Sequence, residues 1–232
     1  MSDDATFDHM SSGRQRRRPV DQPPHAGSLS RRRSVHPTAR RSEQPVPRPV
    51  IVYRAAMTDA APCTARLILP RRSLASCVRA YVIRDTTGLP ALPPEQRFNH
   101  FPATTLCSLN WFIEGQVQLL LEDPATLSPP LGQTLFRGPQ TRPTISHNPG
   151  PVRAFKLLLF PQALHALTGM HIAPFVDRIV PLASALDEAW LALAEAVLQS
   201  DNDETRVALI ENFLEPRWNA VRAAGRAPGG SV

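Results

Sequence analysis

Residues 98–121 read FNHFPATTLCSLNWFIEGQVQLLL, and their alternation decides the fold. From Thr105 to Glu114 the pattern has a period of two, the mark of a strand. Thr105, Cys107, Leu109, Trp111 and Ile113 fall on one face. That face is apolar apart from its small first residue, so it is expected to meet a core. Leu106, Ser108, Asn110, Phe112 and Glu114 fall on the other, a mixed face suited to a half-open cavity or to solvent. Gly115 interrupts the run as a bulge or a hairpin turn would. Val117, Leu119 and Leu121 then resume a core face, with Gln116 and Gln118 opposite. The expectation is a hairpin that the rest of the chain covers.

Working outward, Ala65–Leu69 is a short strand-like run ending at Pro70. In residues 74–84, LASCVRAYVIR, Leu74, Cys77, Val78 and Tyr81 fit helical spacing, while Tyr81–Ile83 equally fits the start of a strand. On the other side of the hairpin, Thr134–Arg137 is strand-like and Gly138-Pro139-Gln140 is a turn. Thr141–Ser146 alternates weakly, and His147-Asn148-Pro149-Gly150 has the composition of a second turn. Residues 152–160, VRAFKLLLF, form a nearly continuous apolar run of strand length and read as a central strand buried on both faces. At Pro161 the character changes. Proline at a first helical position and Gly169 just past the end frame one helix, with Ala163, Leu164 and Leu167 as its buried stripe. Leu186–Gln199 is an amphipathic helix with Ser184 and Asp187 available as caps. Asp201-Asn202-Asp203 caps a last helix running to about Arg222, with a break or kink expected at Pro216. Strands first and helices last predict an α+β fold.

Charge divides the chain of 232 residues unevenly. Residues 1–56 carry 11 Arg and five acidic residues, whereas the remainder carries 15 basic and 15 acidic residues. The +6 net charge therefore belongs to an Arg-, Pro- and Ser-rich tail over 1–56, which is expected to be disordered. Met57 opens the neutral composition and is a candidate start. The expected divisions are the tail at 1–56, a β domain at 57–181, C-terminal helices at 182–224 packing on it, and a flexible end at 225–232. Three widely spaced cysteines, Cys63, Cys77 and Cys107, make no CxxC pattern and suit a reducing cytoplasm. No run approaches the ~20 apolar residues that span a bilayer, so neither a membrane partner nor a membrane location is expected.

The chemistry legible in the residues is sparse. His100, His147, His165 and His171 form no HxH or HxxxH pair, so no metal and no cofactor are expected. There is no GxSxG, phosphate loop or GxGxxG. Cys107 lies on the predicted core face and reads as a structural thiol. What remains is a mixture of flat apolar faces and a few polar groups, namely Asn110, Trp111, Phe112, Gln116, Arg137, Gln140 and Arg142. These are the candidate ligand-binding residues of a small-molecule pocket.

FNHFPATTLCSLNWFIEG, followed by FRGPQTRPTISHNPGPVRAFKLLLFPQALHALTG, resembles the N-terminal sensor region of AraC-type transcriptional regulators. The resemblance covers about residues 65–218 and ends at LEPRW. It implies a cupin-like β sandwich or barrel followed by C-terminal helices, which senses an unknown small-molecule effector or mediates homodimerisation. In that family two helix-turn-helix units follow. Here 14 residues remain after Trp218, so the DNA-reading domain is expected to be absent from this chain. The leading expectation is a non-enzymatic sensor or dimerisation domain. The alternatives are a stand-alone cupin-type enzyme and weak, non-specific nucleic-acid binding through the Arg-rich tail.

Overall fold

Strand β5 (Cys107–Glu114) is the centre of the molecule because both its edges are paired. Antiparallel β10 (Arg153–Leu159) lies on one side and antiparallel β8 (Thr134–Arg137) on the other. The computed structural model describes residues 50–54, 64–121 and 126–225, so the tail expectations for residues 1–49, 55–56 and 226–232, the Met57 start and Cys63 lie outside the described residues. Among the described residues the central sheet runs β1 (Val50–Arg54), β2 (Thr64–Ile68), β3 (Val78–Asp85), β10, β5, β8 and β11 (Ile179–Pro181). A second sheet holds β4 (Phe98–Phe101), β9 (Thr144–His147), β6 (Gln118–Leu121) and β7 (Thr126–Leu127) in that order. Helices α1 (Pro161–Thr168), α2 (Glu188–Leu198) and α3 (Asp203–Ala224) come last. The expected layout of antiparallel strands followed by helices is thus present.

The predicted register of β5 is the observed one. Cys107, Leu109 and Trp111 are fully buried in the core beneath the helices, with Phe155, Leu157 and Leu159 of β10 on the same face. The Trp111 indole meets the edge of Phe155 at 5.9 Å between ring centroids, and its Nε1 donates to the Ala194 carbonyl of α2 at 3.2 Å. That single bond satisfies the buried indole N–H, as a buried Trp requires. Burial pushes the thiols of Cys77 and Cys107 up to about 12, so both are inert apolar fillers rather than nucleophiles.

Several expectations are corrected. Residues 98–121 do not form a hairpin. β4, β5 and β6 belong to different pairings, and the strand begins at Cys107 rather than Thr105. Gly115 makes the difference: its φ is +81°, and a Cβ there would stand 2.2 Å from the Pro151 carbonyl oxygen. The chain turns at that close approach and crosses to the second sheet, so Leu119 borders a cavity and Leu121 is exposed instead of resuming the core. β10 is not buried alike on both faces, since Ala154, Lys156 and Leu158 keep partial exposure. Residues 50–54, placed in the tail, pair with β2 as β1. Residues 78–85 are strand throughout, and Pro216 sits inside an uninterrupted α3.

Ion pairs fasten α3 to the central sheet and to the segment after β2. Asn202 caps α3 by accepting from the Thr205 N–H, which frees Asp203 for another task. The buried Asp203 carboxylate takes Arg206 at 2.9 Å, Arg153 of β10 at 3.5 Å and Arg66 of β2. Arg71 bridges Glu211 and Glu215, both at 2.8 Å. Removing one partner of such a buried group strands the others, which costs about 3–5 kcal/mol.

Trp111→Ala is expected to destabilise the protein by ~3–5 kcal/mol in urea unfolding, because it empties the space between sheet and α2. A loss under ~1 kcal/mol would mean that the ring does not fill that space.

Candidate functional site

The mixed face of the central sheet is covered by the second sheet, although Arg84, Phe112, Ala154 and Lys156 keep partial exposure. Between it and the second sheet lies a cavity of about 500 Å3, within the range of small-ligand sites. Its floor is built by period-two alternation in four neighbouring strands, β3, β10, β5 and β8. Cross-strand pairing sets Val82, Lys156, Asn110 and Leu135 in one row, with Arg84, Ala154 and Phe112 in the next. Arg137 stands one row further the other way, paired with Ser108. The second sheet supplies the facing wall, from Asn99, His100 and Phe101 of β4, Leu119 of β6 and Thr144 and Ser146 of β9.

Three of the seven candidate binding residues, Asn110, Phe112 and Arg137, line this cavity. The other four do not. Trp111 points to the opposite face and belongs to the core, as the alternation itself requires. Gln116 is exposed past the Gly115 turn and contributes only its backbone carbonyl, which accepts from Asn148 Nδ2 at 2.9 Å. Gln140 is buried, but its amide donates to the Gly138 and Pro139 carbonyls of its own turn at 2.9 and 3.2 Å. Arg142 is exposed beside the Thr141–Asp177 loop contact.

Sequence reasoning missed the groups that set the cavity's electrostatics. Arg84 of β3, Lys156 of β10 and Arg137 of β8 form a diagonal across the floor, with Lys156 in the middle. Lys156 is the one lysine in the chain; the other basic residues are all arginines. No Asp or Glu lines the cavity among the described residues. Arg84 Nη1 donates to Asn148 Oδ1 at 3.3 Å, and Arg137 Nη2 donates to Thr144 Oγ1. The Nε atoms of both arginines are buried without a hydrogen-bond partner. The Lys156 ammonium stands 4.5 Å above the centre of the Phe101 ring, and the Arg137 guanidinium 5.3 Å from it, so one aromatic face serves two cations. Desolvation, then the like charges of Arg137 and Arg84, bring the Lys156 pKa down to about 8. Burial also lowers that of Arg137.

This donor set does not fit a divalent cation. Among the described residues no three His, Cys, Asp or Glu side chains converge. The cavity itself offers His100 among three cationic side chains, which would repel a metal ion. His165 and His171 lie elsewhere, with ring centroids 5.8 Å apart and His165 Nδ1 bonded to the Met170 carbonyl at 2.8 Å. Among the described residues no helix is long and apolar enough to cross a membrane.

No family model and no curated protein sequence matches the chain. Solved structures with a partial likeness include Fe(II) HppE, at TM-score 0.34 and 13% identity over 50% of this chain and 58% of that one. The hydroxypropylphosphonic acid epoxidase from S. wedmorenis has TM-score 0.32 and 12% identity over 47% and 54%. A Salmonella typhimurium LT2 protein named for ethanolamine utilization, EutQ, has TM-score 0.29 and 9% identity over 50% and 96%. These are cupin-like folds. The chain spans a little over half the length of the epoxidase structures it matches. At such scores the likeness extends to no substrate, metal or reaction. It does correct one expectation. An epoxidase stands among these structures, so the lack of GxSxG, GxGxxG or phosphate-loop motifs does not make this chain a non-enzyme.

Lys156→Met is expected to stabilise the free protein at pH 7, by up to about 3 kcal/mol. The folded-state pKa is depressed from 10.5 to about 8, so below pH 8 the full penalty of holding the ammonium is present. Between pH 8 and 10.5 the folded wild type releases its proton first, and its stability gains on the variant's. Urea midpoints measured from pH 7 to 10.5 should therefore converge; a pH-independent gap would contradict the assignment.

Proposed function

We propose that the chain is a small-molecule-binding domain of cupin-like design, of the ligand-sensing kind found in AraC-type regulators, with the inter-sheet cavity as its effector site. The observation that supports this reading is the cavity: about 500 Å3, walled by both sheets and mostly apolar, with a few fixed polar groups. The AraC-type part of the reading rests on the sequence resemblance over residues 65–218. The effector, a homodimer and contacts of the Arg-rich tail with nucleic acid belong to that proposal.

A second reading, a stand-alone enzyme working in the same cavity, is favoured by one observation. A lysine brought to about 8 is close to where a general base or amine nucleophile operates. The two readings part on whether a bound molecule leaves the protein unchanged, which chromatography of the incubated ligand decides.

The direct test is a thermal-shift screen of the full chain with sugars, aromatic amines, and aromatic and aliphatic acids. A ligand at 100 times its Kd is expected to add about 2.7 kcal/mol of stability. Filling the cavity with Ala154→Trp should remove that effect. Binding that persists in the filled variant would place the ligand elsewhere, and a panel without a binder would count against the sensing reading.

A further inference from the structure

We infer that the cavity selects a small organic anion, one carboxylate head on an apolar body, with Lys156 and Arg137, which share the Phe101 ring, receiving the head and Arg84 adding to the positive field. The inference deepens the small-molecule reading above and rests on it.

Three cationic side chains border one enclosed space, and no carboxylate among the described residues faces them. None of the three is in an ion pair among the described residues, whereas Arg66, Arg71, Arg153 and Arg206 all are. Half-buried Arg97 and Arg222 also lack an ion pair among the described residues, but backbone carbonyls receive them, those of Leu92 and Pro149 for Arg97 and that of Ser73 for Arg222. A cluster of cations left without an anion destabilises the free fold through desolvation and mutual repulsion. A carboxylate entering beside Lys156 and Arg137 reverses both effects there and meets the buried, unpartnered Nε of Arg137. The surplus positive charge also excludes cationic molecules, so the site discriminates by repulsion as well as attraction.

The rest of the lining argues for an apolar body. Phe112, Val117, Leu119, Leu131 and Leu135 enclose the remainder of the space. The neutral polar groups there are largely committed to each other. Asn99 donates to Asn148 at 2.7 Å, and Asn110 donates to Ser108 Oγ at 3.1 Å. A sugar, which needs many free partners, is poorly served. A ring or short chain bearing one carboxylate matches the division of the walls.

Proton linkage gives the inference a signature. The titratable and charged groups lining the cavity with Lys156 are Arg84 on β3, Arg137 on β8 and His100 on β4. An anion binds the ammonium form and raises its pKa. Affinity should therefore be highest below pH 8 and fall by about tenfold per pH unit above it, until the pKa of the complex is reached.

The experiment is calorimetric titration of the full chain with phenylacetate and octanoate, with phenylacetamide and octanamide, and with inorganic phosphate, at pH 7 and pH 9. The expected result is carboxylate binding at pH 7, at least about tenfold weaker binding of the amides, no comparable binding of phosphate, and weakening of the carboxylates at pH 9. Lys156→Met should abolish the pH dependence, and Arg137→Gln should weaken the carboxylates at least about tenfold. Should either variant fail to fold, the wild type still decides. Lys156 is the one lysine, so its reductive dimethylation, followed by mass spectrometry, should be slowed by carboxylates and untouched by amides. Amides binding as tightly as acids would overturn the anion assignment and leave the cavity reading standing. Phosphate binding as tightly would overturn the apolar body. If neither acids nor amides bind or protect, the anion assignment falls, and with it the cavity reading for ligands of this size.

Discussion

The pleat of the β5–β10 pair is the constraint on which the rest of the structure depends. Two antiparallel strands in register send alternate side chains to opposite sides, with no freedom to do otherwise. Trp111 opposite Phe155 and Leu109 opposite Leu157 fix one side as the core that receives the helices. The same register then fixes Asn110 opposite Lys156 and Phe112 opposite Ala154 on the other side. A slip of one residue would place an ammonium beneath α2 and an indole in the cavity. Core packing therefore positions the candidate site, and Phe155 belongs to both, lying in the core and lining the cavity.

The two sides of the sheet treat charge in opposite ways. On the helix side, arginines are met by Asp203, Glu211 and Glu215, and the ion pairs fasten α3 to β2, β10 and the segment after β2. On the cavity side, Arg84, Lys156 and Arg137 face neutral groups and the ring of Phe101. A cation over a ring recovers about 0.5–2 kcal/mol, less than desolvating the charge costs. Stability alone would not choose this arrangement. A ligand that supplies the missing negative charge would account for it, in keeping with the general tendency of functional sites to hold groups at perturbed pKa values.

Much of the layout was legible in the sequence because it depends on local chemistry. The alternation from Cys107 to Ile113, the Pro161 start and Gly169 stop of α1, and the Asp187 cap of α2 all read correctly from spacing and residue type. The Gly115 turn was legible as an interruption but not in its direction, because the approach of Pro151 that forces it comes from 36 residues downstream. β1 was readable in Val50-Ile51-Val52-Tyr53, yet the Arg-rich composition around it obscured the run. The mixed face of β5 points to the cavity and carries Asn110 and Phe112, whereas Arg137 enters from the polar groups of the later segment that holds β8. Lys156 is hidden by the apolar richness of VRAFKLLLF, which reads as a strand buried on both faces. Strict alternation would have put Lys156 with Ala154 on the face opposite Phe155. Arg84, His100 and Phe101 reach the site only through pairing between distant strands, which single-sequence periodicity does not carry.

The central claim is that Lys156 stands in an enclosed space lined by cations and free of carboxylates. Because the chain has one lysine, selective 13Cε-lysine labelling gives one side-chain resonance, and its pH titration reads that environment directly. The account predicts a titration midpoint near pH 8 in the free protein, moving upward when a carboxylate such as phenylacetate is bound. A midpoint at the ordinary lysine value of about 10.4, indifferent to added carboxylate, would contradict it.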